Sequence, residues 1–360
     1  MTSARKASPT SLYNLISSEV VAHVTLITMS PTFVAKQHID SVDVNYSSGL
    51  RIAIGLSSLD GNTWDGGISL LSSDGSELCS KQSPAGISMV RFSGSRLLLA
   101  ARDDGVVVMY SSDKLEEMQV FEAHDDVVSC VASDSHQESQ FLSGGWDGSI
   151  YIWDWRTHAS KHAPLMSYKN CHNGHVTDVK YSPFEKNIFS SVGGDGFYRQ
   201  WDSREAPSSG CASIVNIGQT CSCLSYDQSD KNIVLVGTAA GEIIEMDIRS
   251  SNPIISRLKK HNGRVRRILS VEGSPGKFFT ASDDKTFSIC NRYGNTDTFS
   301  RYDPISKVHQ IFIDIFLKLF LTLFTFKKFV SSIKSFQNFS FIFLIFLFAH
   351  DHSLSYLQTT

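Results

Sequence analysis

The chain has 360 residues, of which 41% are hydrophobic and 19% are charged, and its formal net charge at pH 7 is -3. This length allows a large core in one large or two ordinary domains, and the nearly balanced charge gives no global reason to expect a nucleic acid or an anionic membrane as partner. The seven cysteines include no two C-x2-C pairs, which favours a reduced cytoplasmic or nuclear setting.

The first predicted element is a β-strand at residues 20–29, VVAHVTLITM. A signal peptide is the alternative, but the apolar stretch starts only at Val20, contains His23 and is followed by no small-residue cleavage signal. We therefore expect a flexible segment at residues 1–19 and a strand after it.

The stretch GLSSLDGNTWDGGISLL contains a Trp-Asp pair, Trp64 and Asp65, in an unexpected place. Elsewhere in the chain Trp-Asp ends an alternating apolar run, at Trp153 and at Trp201, whereas here the pair precedes one. We interpret Ile68–Leu71 as a strand and the residues before it as an enlarged hairpin loop that carries the Trp-Asp pair.

A repeated unit organises the middle of the chain. Phe, Ser, Asp, Gly, Trp and Asp of FLSGGWDGSIYIWD (141–154) recur 48 residues later in FSSVGGDGFYRQWD (189–202), and weaker copies are LAARDDGVVVMY, LVGTAAGEIIEMD and FTASDDKTFSICN. The last strands of the copies end at Leu71, Tyr110, Trp153, Trp201, Met246 and Cys290, at intervals of 39, 43, 48, 45 and 44 residues. This period, with short alternating strands and Asp-Gly turns that supply the positive φ of a tight hairpin, resembles the blades of WD-repeat propellers.

The resemblance to the WD-repeat family implies a buried hydrogen-bond set in each blade. In that family a loop histidine, a strand Ser or Thr, the turn Asp and a Trp are connected. The sets that map onto this sequence are His124, Ser143, Asp147 and Trp153; His175, Ser191, Asp195 and Trp201; and His261, Thr280 and Asp284, with Cys290 in place of the Trp.

The residues His124, Ser143 and Asp147 also have the composition of a hydrolase triad. The same spacing recurs in several repeats, and the chain contains no G-x-S-x-G elbow, P-loop or G-x-G-x-x-G motif. We therefore expect a structural role for these residues, and a protein that is not an enzyme and needs no cofactor.

Two further clusters suggest other partners. CHNGH offers Cys171, His172 and His175 as zinc ligands, but no fourth ligand lies at a convincing spacing, so we expect no metal. The run RLKKHNGRVRR (257–267) contains six basic residues. Such runs are mostly solvated, and a nuclear import signal or a contact with an acidic partner is the alternative.

The first three repeats resemble the methylosome protein 50 family, the WD-repeat partners of the type II protein arginine methyltransferase. The resemblance extends from about residue 45 to about residue 304, and its most particular part is the Ser-Ser-Leu-x-Gly-x-x-Trp hairpin. It implies that Trp64 docks in an apolar pocket on the barrel domain of the methyltransferase, flanked by Asn62, Thr63 and Asp65. The alternative is that Trp64 folds back onto the blade edges.

The last segment, residues 305–360, does not follow the repeat. Residues 311–348 hold 12 of the 23 Phe, and no Gly or Pro follows Pro304, which is implausible for a blade. As a membrane anchor it is interrupted by lysines, and its longest apolar run is about half of the ~20 residues that a span needs. Our leading hypothesis is a retained intron, with a membrane anchor as the alternative.

The sequence therefore predicts an all-β WD-repeat propeller at residues 20–304, with seven blades expected, six recognisable and the last missing or replaced by the Phe-rich tail. Residues 20–29 would be the N-terminal closing strand, and an unclosed ring is expected to expose an apolar edge and aggregate. The predicted function is a noncatalytic adaptor in a hetero-oligomer with an arginine methyltransferase, presenting histone or Sm-protein substrates. The alternative is a WD-repeat scaffold or substrate receptor of a ubiquitin ligase or chromatin assembly.

Overall fold

The computed structural model describes residues 37–300 except 48, 61–62, 74, 157–162, 272–273 and 293–296, and it describes side chains for the same residues other than 59, 60, 63 and 297–300. These residues form twenty-four strands in six four-stranded sheets, and among them there is no helix. In this part of the chain, accordingly, no helix is long and apolar enough to cross a membrane.

Each sheet is built from four strands that are consecutive in the chain, and we number the sheets as blades 1 to 6. The strands are β1 (His38–Asn45), β2 (Arg51–Asp60), β3 (Thr63–Leu71) and β4 (Glu77–Ser83) in blade 1; β5 (Ile87–Ser93), β6 (Leu97–Arg102), β7 (Val106–Ser111) and β8 (Glu117–Glu122) in blade 2; β9 (Val128–Ser133), β10 (Gln140–Gly145), β11 (Ile150–Asp154) and β12 (Met166–Tyr168) in blade 3; β13 (Val176–Tyr181), β14 (Ile188–Gly193), β15 (Phe197–Asp202) and β16 (Cys211–Asn216) in blade 4; β17 (Cys221–Tyr226), β18 (Ile233–Thr238), β19 (Glu242–Asp247) and β20 (Ile254–Lys259) in blade 5; and β21 (Val265–Ser270), β22 (Lys277–Ser282), β23 (Thr286–Asn291) and β24 (Asp297–Ser300) in blade 6.

The first strands of the blades, β1, β5, β9, β13, β17 and β21, contact one another in succession around a central channel. One end of that channel is lined both by His38 of blade 1 and by Arg266 of blade 6. This arrangement confirms the predicted all-β WD-repeat propeller. The strand ends predicted from the repeat are also correct to within one residue, from Leu71 in β3 to Cys290 in β23.

The blades are held together by packing between sheets and by polar contacts of the inner strands. Phe141 stacks on Trp153 within blade 3, and Phe121 of the preceding blade meets Phe141 edge-on at 4.9 Å between ring centroids. The buried Asp178 of β13 accepts a hydrogen bond of 3.0 Å from the backbone N–H of Leu224 in β17. Such carboxylates fix the register between neighbouring blades, because a buried acceptor is costly without a donor.

The predicted Asp-Gly turns have the expected backbone. Gly148 and Gly196, which follow the turn aspartates, have φ of 72° and 79°. A Cβ on Gly148 would also lie 2.5 Å from the carbonyl oxygen of His172, so this position has neither the conformation nor the space for a side chain. In blade 6 Lys285 takes the equivalent place with φ of 67°.

The interpretation of the first hairpin as a loop is wrong. β2 and β3 pair from Ile52 and Leu71 up to Asp60 and Thr63, so Trp64 and Asp65 lie within a strand of an extended hairpin. The reason is that a backbone ladder needs no apolar alternation, and Gly61-Asn62 is a pair that favours a two-residue turn.

Several predictions fall outside the described residues. They are the flexible segment 1–19, the closing strand 20–29, the tail 305–360 and the position of Asn62. The seventh blade and the proposed domain boundaries therefore remain predictions.

Candidate docking surface

The histidine of blade 3 connects a loop, a strand and a turn. His124 Nδ1 lies 3.0 Å from Asp147 Oδ2, and its Nε2 lies 2.8 Å from Ser143 Oγ. The same hydroxyl accepts a 2.9 Å hydrogen bond from Trp153 Nε1. Asp147 also accepts from the backbone N–H groups of Asp125 and Ser149. The set therefore satisfies polar groups at the blade edge that would otherwise be buried without partners.

In blade 4 the mapping of His175 onto this set is wrong, because His172 takes the place. His172 Nδ1 lies 2.9 Å from Asp195 Oδ1 and Nε2 lies 2.8 Å from Ser191 Oγ, while Trp201 Nε1 donates to the same hydroxyl at 2.9 Å. The sequence spacing explains why His172 and not His175 takes this place. In both blade 3 and blade 4 the histidine precedes the turn aspartate by 23 residues and the strand serine by 19. A position three residues later faces the central channel.

Blade 6 has a modified set. His261 Nε2 lies 2.8 Å from Thr280 Oγ1, and its Nδ1 lies 2.7 Å from Thr286 Oγ1. Thr286 in turn donates to Asp284 Oδ1 at 2.6 Å. The buried Cys290 stands where the other two sets have an indole. Thr286 Oγ1 joins His261 Nδ1 to Asp284, whose Oδ2 lies 3.4 Å from that nitrogen.

The contacts of His124, Ser143 and Asp147 are those of a nucleophilic triad, but their environment is not. Ser143 is fully buried, the side chain of His124 is 1% exposed, and the serine hydroxyl already accepts the indole N–H of Trp153. A nucleophile must reach its substrate, and a buried hydroxyl with every neighbour inside the blade cannot. The geometry therefore supports a structural role.

The turns between second and third strands share one end of the propeller with the histidine loops, because each histidine reaches its turn aspartate. We call this end the turn face, and it carries the two exposed tryptophans. Trp64 in the extended hairpin of blade 1 is 53% exposed, and Trp146 in the turn of blade 3 is 55% exposed.

Trp64 is held against blade 2 at one atom. Its Nε1 donates a 2.8 Å hydrogen bond to Asp103 Oδ2, and a Cβ on Gly86 would lie 2.6 Å from that nitrogen. The indole thus crosses the junction between blades 1 and 2 over a residue without a side chain, with half of its surface in solvent. This geometry agrees in part with each interpretation of Trp64 from the sequence. The ring rests on a blade edge, as the fold-back alternative expects, and it remains exposed, as docking requires.

The surroundings of Trp64 are acidic. Burial raises the pKa of Asp103, the hydrogen bond from Trp64 opposes this, and the charges of Asp40 and Asp104 raise it further. Asp65 lies on the same hairpin and accepts a 3.3 Å hydrogen bond from Gln37 Nε2. An exposed aromatic ring among carboxylates fits a partner surface that combines an apolar pocket with basic residues.

The candidate zinc ligands of CHNGH have other contacts in the structure. His172 belongs to the hydrogen-bond set of blade 4, and Cys171 Sγ contacts the carbonyl oxygen of Gly148. No group of three or more His, Cys, Asp or Glu in the described ranges is placed to hold a metal ion.

Comparison with known families gives a match to the family described as WD domain, G-beta repeat, at residues 115–154 and 164–202. These ranges end at the last residues of β11 and β15, in the two blades with complete hydrogen-bond sets. Blades 3 and 4 are therefore WD repeats.

Among curated proteins, this WD-repeat chain is 31% identical over 172 residues to Methylosome protein WDR77 of Xenopus laevis, which covers 45% of the chain and 50% of that protein. It is 24% identical over 164 residues to E3 ubiquitin-protein ligase COP1 of Arabidopsis thaliana, covering 45% of the chain and 22% of that protein. It is 22% identical over 193 residues to Histone acetyltransferase type B subunit 2 of Candida glabrata, covering 52% and 45%. The matches thus span half or less of the length of these relatives.

In blades 4 and 6 burial favours the neutral form of the histidine, and in blades 3 and 4 hydrogen bonds favour the ionised form of the turn aspartate. Burial lowers the pKa of His172 and His261 below 6.5, although the neighbouring aspartates oppose it. Burial would raise the pKa of Asp147 and Asp195, but hydrogen bonds from histidine and backbone N–H groups outweigh it and hold both below 3.8.

These shifts predict a two-stage loss of stability in acid. Below about pH 6.5 the unfolded chain protonates its histidines before the folded chain does, so the free energy of unfolding falls with pH; below about pH 4 the aspartates add a second decrease for the same reason. Urea unfolding measured from pH 3 to pH 8 checks this. A free energy of unfolding that stays constant between pH 7 and pH 5 would contradict the first stage.

Proposed function

We propose that this WD-repeat protein is a noncatalytic adaptor of a methylosome-like complex. It binds the barrel domain of a type II protein arginine methyltransferase and helps to present histone or Sm-protein substrates for symmetric arginine dimethylation. The partner supplies the catalytic residues and binds the methyl donor. The complex is a hetero-oligomer in the cytoplasm and the nucleus, and it needs no direct contact of this chain with nucleic acid or membrane.

The observation that carries the proposal is the extended hairpin of blade 1. β2 and β3 have ten and nine residues, whereas the second and third strands of blades 2 to 6 have five or six. The extra length places Trp64 on the turn face, half exposed and oriented by Asp103. A large aromatic ring that is fixed before binding loses little entropy on docking, which is the character of an interface anchor. The similarity to Methylosome protein WDR77 supports the choice of partner.

The second candidate is a scaffold or substrate receptor of another assembly, a ubiquitin ligase or a chromatin complex. The similarities to E3 ubiquitin-protein ligase COP1 and to Histone acetyltransferase type B subunit 2 favour it. A protein of this second kind would bind its partner without using the hairpin of blade 1.

Purification of the tagged full chain from its own cells, followed by mass spectrometry, separates the two candidates. An arginine methyltransferase should dominate the bound proteins, and the isolated complex should produce symmetric dimethylarginine on histone or Sm substrates while the chain alone does not. A preparation dominated by a cullin adaptor or by chromatin-assembly subunits, without a methyltransferase, would replace the first candidate with the second.

A further inference from the structure

The end of the central channel away from the turn face contains a cavity of about 260 Å³. Its lining includes Pro183 and Gln228, which lie in the turns between first and second strands and so mark this end. Three cationic side chains also line it: Arg91 of β5, Lys180 of β13 and Arg267 of β21. These strands belong to blades 2, 4 and 6, so positive charge reaches the cavity from three blades that are not adjacent in the chain.

The carboxylates beside two of these cations are used mainly by the backbone. Asp178 accepts a 3.0 Å hydrogen bond from the N–H of Leu224, and Asp43 accepts one of 2.7 Å from the N–H of Phe92. Lys180 Nζ lies 3.4 Å from Asp178. Because each carboxylate joins its strand to the inner strand of another blade, both are held in place by the fold and do not move to follow the cations.

Arg91 is the cation with the most unused hydrogen-bonding capacity. Its side chain is 18% exposed, and its Nη1 lies 3.6 Å from Asp43 Oδ1, longer than the about 2.7–2.9 Å of a charge-assisted hydrogen bond. In the described ranges no acceptor lies within hydrogen-bond distance of its five N–H donors. A largely buried guanidinium needs acceptors, and the cavity is the place from which a ligand can supply them.

Other arginines at this end of the propeller lack that capacity. Arg204 and Arg249 each bond through Nε and Nη2 to an aspartate two residues earlier, with shortest distances of 2.6 and 2.7 Å. Both are 65% exposed and lie after the third strands of their blades, outside the channel wall. The open guanidinium of Arg91 is therefore a feature of the cavity and not of this whole end.

We propose that the cavity binds the phosphate group of a small molecule, which then bridges blades 2, 4 and 6 across the channel. A tetrahedral phosphate offers oxygens to donors that approach from several sides, whereas a carboxylate offers two oxygens in one plane. The volume lies just below the roughly 300–1,000 Å³ of ordinary small-molecule sites, and Leu224, Ile268 and Leu269 in the wall fit the apolar part of a phosphate ester. The site is independent of Trp64 and of the methyltransferase.

Thermal unfolding and calorimetric titration of the full chain with phenyl phosphate test the proposal. Benzoate is the control probe with the same ring and a carboxylate, and inorganic phosphate is the probe without the apolar part. Phenyl phosphate should bind and raise the melting temperature, because a ligand of the folded state alone stabilises it. Benzoate should bind about tenfold more weakly or less. Tighter binding of phenyl phosphate than of inorganic phosphate assigns an ester to the site, and equal binding of the two assigns free phosphate.

Arg91→Gln should weaken the binding of phenyl phosphate by about tenfold or more, and Arg91→Lys should retain part of the affinity. Arg267→Gln should weaken it as well, which tests the bridge from a second blade. Arg204→Ala is the matched control, because it removes an arginine from the same end of the propeller but outside the cavity, and it should leave the affinity unchanged.

Melting curves without ligand show which variants keep the fold, and Arg91→Lys and Arg267→Gln provide the test if Arg91→Gln does not. Absence of phosphate binding would overturn the assignment. So would equal affinities for phenyl phosphate and benzoate, or equal losses of affinity in Arg204→Ala and in the variants of the cavity.

Discussion

Replacement of Trp64 by alanine is expected to abolish co-purification of the methyltransferase and to leave thermal unfolding of the chain unchanged. The side chain is 53% exposed and belongs to no core cluster, and its described hydrogen bond is to one surface carboxylate, Asp103. Its removal therefore costs the fold little. At an interface, a tryptophan anchor contributes at least about 2 kcal/mol, which corresponds to about a 30-fold loss of affinity. Binding of the purified partner, measured by calorimetry beside the melting curve, gives both quantities.

Trp146→Ala is the control for this prediction. Trp146 is the same residue type on the same face and is 55% exposed, but it lies on blade 3. It should retain the methyltransferase. Gly86→Ala provides a second route to the same loss of binding, because its methyl group would meet Trp64 Nε1 and Asp103 Oδ2 and displace the indole without removing Trp64 from the chain. Retained binding in Trp64→Ala, or equal loss in Trp146→Ala, would show that Trp64 is not the anchor.

Replacement of His172 by alanine is expected to lower the free energy of unfolding by about 2–3 kcal/mol, whereas His175→Ala should cost about 0.5 kcal/mol. The imidazole of His172 is buried and bonded to Asp195 and Ser191. Its loss leaves a carboxylate and a hydroxyl without one of their partners inside the protein. His175 is half-buried at the channel mouth and holds neither group. Urea unfolding of both variants measures the difference.

The pair is matched, because the two histidines are three residues apart in one loop and the same atoms are removed. His124→Ala in blade 3 should resemble His172→Ala, since its contacts are equivalent. Equal costs for His172→Ala and His175→Ala would mean that the hydrogen-bond set contributes no more than ordinary packing of the loop.

The sequence predicted the strands and turns well, because these depend on local patterns. Alternating apolar residues and Asp-Gly pairs located the third strands of blades 1 to 6 to within one residue at their C-terminal ends. They also gave the positive φ of Gly148 and Gly196. His172 could have been found as well, because it, and not His175, lies 23 residues before its turn aspartate, as His124 does in blade 3. His175 was assigned to the hydrogen-bond set of blade 4 without applying this spacing between histidine and aspartate.

The extended hairpin was missed for a different reason. Residues between Leu56 and Ile68 are mostly polar or Gly, so hydrophobic alternation gives no signal. The ladder is held by backbone hydrogen bonds from Leu56 and Gly67 to Asp60 and Thr63, which any residue except Pro can make. The pair Gly61-Asn62 was the available indication of a two-residue turn.

By itself the sequence determined the repeat, the strand order within each blade and the exposed position of a tryptophan in a polar, Gly-rich stretch. Only the tertiary structure decided that Trp64 donates to Asp103, 39 residues away, and that Arg264, Trp146 and His175 line one cavity at the end of the central channel. A periodic pattern reports which residues of one strand are buried. Contacts between blades depend on how the sheets are arranged around the channel, and no pattern within a single repeat carries that information.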